Sequence, residues 1–233
     1  RDQAGGVQQD EEQRQHEEFV TCSDAATGTL LWAHADKTRF SEGHGDGPRC
    51  TPTIDPAGRR VFALGATGIL NCLDLETGSV IWTRNIVAGT GAKNLTWGKS
   101  SSPLLHEAHV IVTGGGAPPT LLAFQRATGR PAWQAGADTP SYSSPAVLSL
   151  AGRAQIVCVN ETSVTGHDPA AGTLLWTFPW PGKIVAKVCQ PIPAGPDRIL
   201  VTASGGMKSH LLQIKREAGG ALSCDSVWTS RHP

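Results

Sequence analysis

The nine-residue segment Asp74-Leu75-Glu76-Thr77-Gly78-Ser79-Val80-Ile81-Trp82 returns in close copies along the chain, and its recurrence restricts the fold more than any other feature. Asp24 to Trp32 has the same form. Gln125 to Trp133 keeps the Thr-Gly and the Trp but not the leading Asp, and Asp168 to Trp176 has Ala171 in place of the Thr. A stretched fifth copy runs from Ile214 through Gly219 and Gly220 to Trp228. The glycines Gly28, Gly78, Gly129 and Gly172 are 50, 51 and 43 residues apart. Self-similarity at that period marks a solenoid, propeller or array.

Each unit reads as strand, tight turn, strand. The apolar runs flank a turn in which an Asp side chain can bond the backbone two residues on, and Gly accepts positive φ. The Trp four residues after each glycine places a ring at the same point of every repeat, where it can cover the seam to a neighbouring unit. Ahead of each later hairpin lie two more strands. One begins around Pro52, Pro103, Pro145 or Pro191; the next is an apolar run at Val61 to Leu64, Val110 to Thr113, Ile156 to Val159 or Ile199 to Thr202. Four strands per repeat, arranged radially, are propeller blades. The expected fold is therefore an all-β propeller of four-stranded antiparallel blades, about four and a half of them, with helix nearly absent. The chain divides as one incomplete domain over 1–233, with blades near 1–35 (partial), 36–85, 86–135, 136–180 and 181–233.

The cysteines follow the same repeat. Cys22 and Cys72 stand where other copies have Ala123 and Gly166, and Cys50 and Cys189 where others have Ser101 and Ser143. They read as small buried residues rather than disulfide partners. Twenty basic residues balance twenty acidic ones, which leaves no electrostatic footprint for nucleic acid or an anionic membrane. No apolar run is long enough to be a transmembrane helix. The chain begins Arg1-Asp2-Gln3, without Met or signal peptide, like an arbitrary cut, and the acid-rich run from Asp10 to Glu18 reads as a solvated loop or hairpin tip rather than a recognition tail.

The pattern Ser-Ser-Pro, then Val-Ile-Val-x-Gly, then Leu-x-x-Leu-Asp-x-x-Thr-Gly-x-x-x-Trp resembles the PQQ-like β-propeller repeat over about Phe19 to Trp228. That repeat occurs in quinoprotein dehydrogenases and in outer-membrane assembly lipoproteins of the BamB type. The segments from Gly65 to Asp74 and Gly91 to Gly98 are similar to bacterial PQQ-binding-like propeller proteins. The resemblance implies a ring of seven or eight blades and a place in the bacterial periplasm or cell envelope. WD40 blades end in Trp-Asp, but these tryptophans are followed by Ala33, Thr83, Gln134, Thr177 and Thr229. Kelch repeats need a Tyr that the single Tyr142 cannot supply.

Shorter motifs fall away. Gly98-Lys99-Ser100 lacks the first Gly of a phosphate loop and is followed by Pro103 rather than a helix. His106-Glu107-Ala108-His109 falls between strands, as a hairpin turn. Asn94-Leu95-Thr96 and Asn160-Glu161-Thr162 are glycosylation sequons only in a eukaryotic secretory setting. Gly114-Gly115-Gly116 and Gly205-Gly206 read as turns or bulges.

Three function classes follow. A non-catalytic scaffold presents loops to envelope proteins, as resemblance to BamB implies. A quinone-dependent dehydrogenase, implied by the quinoproteins, has PQQ with Ca²⁺ on oxygen ligands, a catalytic Asp and usually adjacent cysteines, which this chain lacks. A binding module takes a small anionic ligand without chemistry. No catalytic or metal-ligating set is visible, and no cofactor is expected. The residues before each proline form the candidate ligand site at a channel mouth: Asp46 and Arg49, Asn94, Trp97 and Lys99, Tyr142, and Lys187. Three cations beside an indole and a phenol suit a planar anion.

Overall fold

The computed structural model describes residues 16–182, 187–203 and 207–230. Gly205-Gly206 and the acidic run up to residue 15 lie outside them. Strands β1 (Glu18–Ser23) and β2 (Leu30–Asp36) form a two-stranded sheet. Four sheets of four strands follow, each an antiparallel meander in chain order. They are β3 (Thr53–Asp55), β4 (Arg60–Leu64), β5 (Ile69–Asp74) and β6 (Val80–Asn85); then β7 (Leu104–His106), β8 (His109–Thr113), β9 (Leu121–Gln125) and β10 (Pro131–Ala135). The last two are β11 (Ala146–Leu150), β12 (Arg153–Val159), β13 (Ser163–His167) and β14 (Leu174–Pro179), and β15 (Ile192–Pro193), β16 (Arg198–Val201), β17 (His210–Arg216) and β18 (Leu222–Thr229). This is the expected all-β propeller arrangement, four full blades and a half. A five-residue helix, α1 (Ile86–Thr90), follows β6, with Asn85 accepting from the Ala88 N–H at its start.

The core lies between sheets. Side chains alternate across a strand, so Val110 and Val112 join Phe62, Leu70 and Trp82 on one side of β8, while Ile111 joins Ile156 and Cys158 on the other. In β12, Val157 and Val159 face a third cluster with Ile199 and Leu212. Strands buried on both faces read as unbroken apolar runs, which is why Val-Ile-Val and Ile-Val-Cys-Val occur where they do.

The repeated turn has the same wiring each time. Asp74 Oδ1 accepts from the N–H of Glu76 (3.1 Å) and Thr77 (2.9 Å) and from the Thr77 hydroxyl (2.9 Å). Asp24 does the same for Ala26 and Thr27. These bonds, led by the Thr hydroxyl, hold both carboxyls below their ordinary value. In the third sheet the Gln125 side chain accepts from Thr128 instead, at 2.9 Å.

The tryptophans then join one sheet to the next. A Cβ added to Gly78 would lie 2.5 Å from the Trp32 ring, one on Gly129 2.6 Å from Trp82, and one on Gly172 2.6 Å from Trp133. Each indole is thus seated on the turn glycine of the following sheet. Trp32 Nε1 donates to Leu75 O (3.2 Å) and Trp82 Nε1 to Arg126 O (2.9 Å), in both cases the carbonyl next after the turn's first residue. Trp133 Nε1 is buried without a hydrogen-bond partner among the described residues. Trp176 departs from the pattern: its indole fills the space above Gly166 in its own sheet and donates to Gln155. The stretched fifth turn puts no glycine beside it, since nothing lies within 4 Å of a Cβ at Gly219 or Gly220.

The small residues six before each turn glycine have a cross-strand cause. Trp32 pairs with Cys22, Trp82 with Cys72, Trp133 with Ala123 and Trp176 with Gly166, and a bulge follows each pair. A ring leaning over that position leaves room for a thiol or methyl. All six cysteines are free. Cys72 is buried under Trp82, so Cys72→Ala is expected to cost little, whereas Cys72→Leu overpacks the position and destabilises by about 1–3 kcal/mol. Urea denaturation of the two variants checks this; equal midpoints would contradict it.

Candidate functional site

The segments before the four prolines lie side by side, as expected of neighbouring first strands, and are tied together by hydroxyls. The Thr51 N–H donates to Ser102 Oγ (2.9 Å), and the Ser102 N–H to Ser144 Oγ (2.8 Å). Thr53 Oγ1 donates to Pro103 O (2.6 Å), Ser100 Oγ to Tyr142 O (3.0 Å) and Ser143 Oγ to Cys189 O (2.9 Å). The Ser or Thr that precedes most of these prolines therefore stitches one sheet to the next.

Above this belt, three successive connections bring aromatic rings together. His44 meets Trp97 edge-on with centroids 5.9 Å apart, and Trp97 meets Tyr142 at 5.2 Å. The Tyr142 hydroxyl accepts from the Trp97 N–H at 3.1 Å. Asn94 is held by donating to Ala66 O (2.8 Å) while accepting from the Leu95 N–H. A Cβ at Gly116 would come within 3.1 Å of Lys93 O and 3.2 Å of Asn94 O, so the backbone packs closely here. Between the third and fourth sheets these residues open a cleft of about 360 Å³, lined by Asn94, Trp97 and Tyr142 together with Thr139 and Glu161.

The predicted cations do not gather there. Lys99 is 0% exposed, and its ammonium donates inward to Thr113 Oγ1 (2.8 Å) and Gly114 O. Lys187, 1% exposed, donates to Glu161 O and Trp180 O, each at 2.6 Å, and stands over the Trp180 ring at 4.6 Å. Carbonyls left unpaired at strand ends draw these chains in. Arg49 is taken up by its own loop, donating to Glu42 Oε1 (2.7 Å), Gly45 O (2.7 Å) and Gly47 O (3.1 Å), and Asp46 pairs with Arg39 at 3.3 Å. Of the seven expected residues, then, Asn94, Trp97 and Tyr142 come together.

His44, Thr139 and Glu161 join them unforeseen, because they lie on connections without the repeat period. The charged side chain lining the cleft is the Glu161 carboxylate. Among the described residues no three His, Cys, Asp or Glu side chains gather as a metal site. These residues do not fit a carboxylated quinone held with Ca²⁺. What the cleft offers is an aromatic platform edged by amide, hydroxyl and carboxylate groups, suited to stacking and hydrogen bonding. A second hollow of about 220 Å³ lies beside Glu18. Burial raises that carboxyl, against the N–H groups of Phe40 and Ala66 that it accepts, each at 3.0 Å.

A model of the family described as outer membrane protein assembly factor BamB matches residues 16–183. Among solved structures, BamB from Moraxella catarrhalis is similar with a TM-score of 0.63 and 18% identity, over 91% of this chain and 58% of that one. Quinohemoprotein alcohol dehydrogenase from Comamonas testosteroni is similar with a TM-score of 0.54 and 13% identity, over 85% of this chain and 37% of that one. At such identities the likeness is one of fold. A search of curated protein sequences found no match. No helix among the described residues is long and apolar enough to cross a membrane.

The buried lysines make stability pH-dependent. Burial lowers Lys99 and Lys187 from the ordinary 10.5 to about 8. Below about pH 8 both folded and unfolded chains hold these protons, and the buried charge costs its full amount. Above it the unfolded chain holds protons that the folded chain has released, so stability rises with pH. Past the ordinary thiol value of 9.0 the rise is opposed, because burial pushes Cys50, Cys72, Cys158 and Cys224 up to about 12 in the fold. Denaturant midpoints should therefore climb between about pH 8 and 9, less steeply in Lys99→Met. A flat profile would contradict the buried placement.

Proposed function

We propose that this chain, which belongs to the family of the outer membrane protein assembly factor BamB, acts as a non-catalytic binding or assembly scaffold of the bacterial cell envelope. Its cleft between the third and fourth sheets receives an extended segment or loop of an envelope protein. The chain is taken as one propeller domain, with blades divided near residues 35, 85, 135 and 180. The observation that carries this reading is the inward turn of Lys99 and Lys187 onto carbonyl oxygens. It removes two of the three cations that an anionic cofactor needs and leaves Trp97 and Tyr142 as the recognition surface. Tyr and Trp supply large contact area at low entropic cost, and their polar ends bond a partner's backbone.

Quinone-dependent dehydrogenation is the competing reading, supported by the fold likeness to an alcohol dehydrogenase. Titration of the purified chain with pyrroloquinoline quinone, with and without Ca²⁺, separates the two. The scaffold reading expects no saturable binding below about 100 µM. It also expects a photo-crosslinking residue at position 142 to capture a defined envelope protein in cells, with capture lost on Trp97→Ala. Saturable micromolar quinone binding with turnover of an alcohol would overturn it.

A further inference from the structure

We propose that the cleft between the third and fourth sheets selects an arginine side chain of the segment it receives, with the guanidinium stacked on Trp97 and Tyr142 and forked onto the Glu161 carboxylate. The occupant itself rests on the scaffold reading above; the arginine is what the residues of the cleft add to it.

The charge of the cleft calls for a cation. Glu161 lines it, and no Lys or Arg among the described residues does. The Glu161 carboxylate takes no hydrogen bond or ion pair from a described residue. The candidate counter-ions are engaged elsewhere. The Lys187 ammonium goes to the Glu161 and Trp180 carbonyls, and Arg49 pairs with Glu42. His44, whose ring meets Trp97 edge-on, is also paired with Glu42, at 2.9 Å. Asp138, next to Thr139 of the cleft wall, adds a second carboxylate. It accepts from the hydroxyls of Thr162 (2.9 Å) and Ser163 (2.7 Å) and makes no ion pair with a described residue.

The backbone of Glu161 is held on both sides. Its N–H donates to Thr139 O at 2.9 Å, and its carbonyl accepts from the Lys187 ammonium at 2.6 Å. The inward turn of Lys187, which takes a cation away from the cleft, therefore also fixes the residue that carries its anion. The aromatic wall is set in the same way. The rings of Trp97 and Tyr142 are 5.2 Å apart and tilted by 41°, and the Trp97 backbone N–H donates to the Tyr142 hydroxyl. Groups positioned before binding lose little freedom when a ligand arrives.

Arginine answers this arrangement better than lysine. A guanidinium is planar, presents paired donors to a carboxylate and stacks on aromatic faces, whereas an ammonium is a compact, strongly hydrated point charge. The cleft of about 360 Å³ lies at the lower end of the range for ligand pockets, which suits one long side chain and the backbone that carries it.

NMR titration of the isotope-labelled chain with a blocked glycyl-arginyl-glycine tripeptide tests the inference. The signal followed is the Trp97 indole N–H, identified by its loss in Trp97→Phe. Tripeptides with lysine, or with citrulline as the uncharged isostere, replace arginine as comparisons. The arginine peptide should saturate with a dissociation constant below about 10 mM, and the other two should bind at least about fivefold more weakly. Glu161→Gln keeps the side chain's size at an exposed position and should remove the preference, with circular dichroism verifying its fold. No saturation by the arginine peptide, equal affinity for lysine or citrulline, or a preference that survives Glu161→Gln would each overturn the inference. Capture of a protein from position 142 without arginine preference would overturn it while leaving the scaffold reading in place; arginine preference without capture would overturn the scaffold reading instead.

Discussion

An indole seated on a turn that has no Cβ is the contact on which the arrangement of sheets depends. It makes three demands at once. The turn must present a glycine at positive φ to the preceding sheet, as Gly78, Gly129 and Gly172 do. The cross-strand partner of the ring must be small, which Cys22, Cys72, Ala123 and Gly166 satisfy. A carbonyl of the turn must be placed for the ring N–H, as Leu75 O is for Trp32 in the turn folded by Asp74, and as Arg126 O is for Trp82 in the turn led by Gln125. One nine-residue pattern therefore encodes a hairpin and also its attachment to the next hairpin. Nearest-neighbour contacts of this kind are what make repeat architectures extensible.

Away from that outer contact, the sheets are joined by hydroxyls and, between the fourth and fifth, by the buried ammonium of Lys187. The Thr51, Ser102 and Ser144 ladder runs across neighbouring first strands. Lys99 and Lys187 stand at the same offset from their prolines but bond different carbonyls, of Gly114 in one case and of Glu161 and Trp180 in the other. A buried lysine is expensive to desolvate, and here the cost is offset by bonds to strand-end carbonyls that no backbone N–H among the described residues reaches. The aromatic cleft above then owes its walls to these same segments, so its geometry is inherited from the seams.

Much of this was legible in the residues. The Asp-x-x-Thr-Gly-x-x-x-Trp period revealed hairpins, blade number and the seam role of the rings, because each of those is set by local chemistry repeated at fixed spacing. The matched offsets of Cys22 and Cys72 exposed a demand for small side chains before its cause, the facing indole, was visible. The cleft was only half legible. Asn94, Trp97 and Tyr142 could be placed from their distance to a proline, but the direction of Lys99 and Lys187 depends on carbonyls far away in sequence. His44 and Glu161 belong to connections that obey no period. Trp176 keeps the sequence pattern and is buried in one cluster with Ile199, Leu212 and Ile214 of the next sheet, but no turn glycine lies beside it and its N–H goes to Gln155 instead.

A double-mutant cycle between Trp82 and Gly129 tests the seam contact most directly. If the ring rests on the turn, Gly129→Ala pays for displacing an indole in the wild-type background but only for backbone strain once Trp82→Ala has removed the ring. The two changes should then be non-additive by about 0.5–3 kcal/mol in denaturant unfolding. Additivity within about 0.3 kcal/mol would mean that the indole and the glycine do not support one another, and the account of the seam would fail.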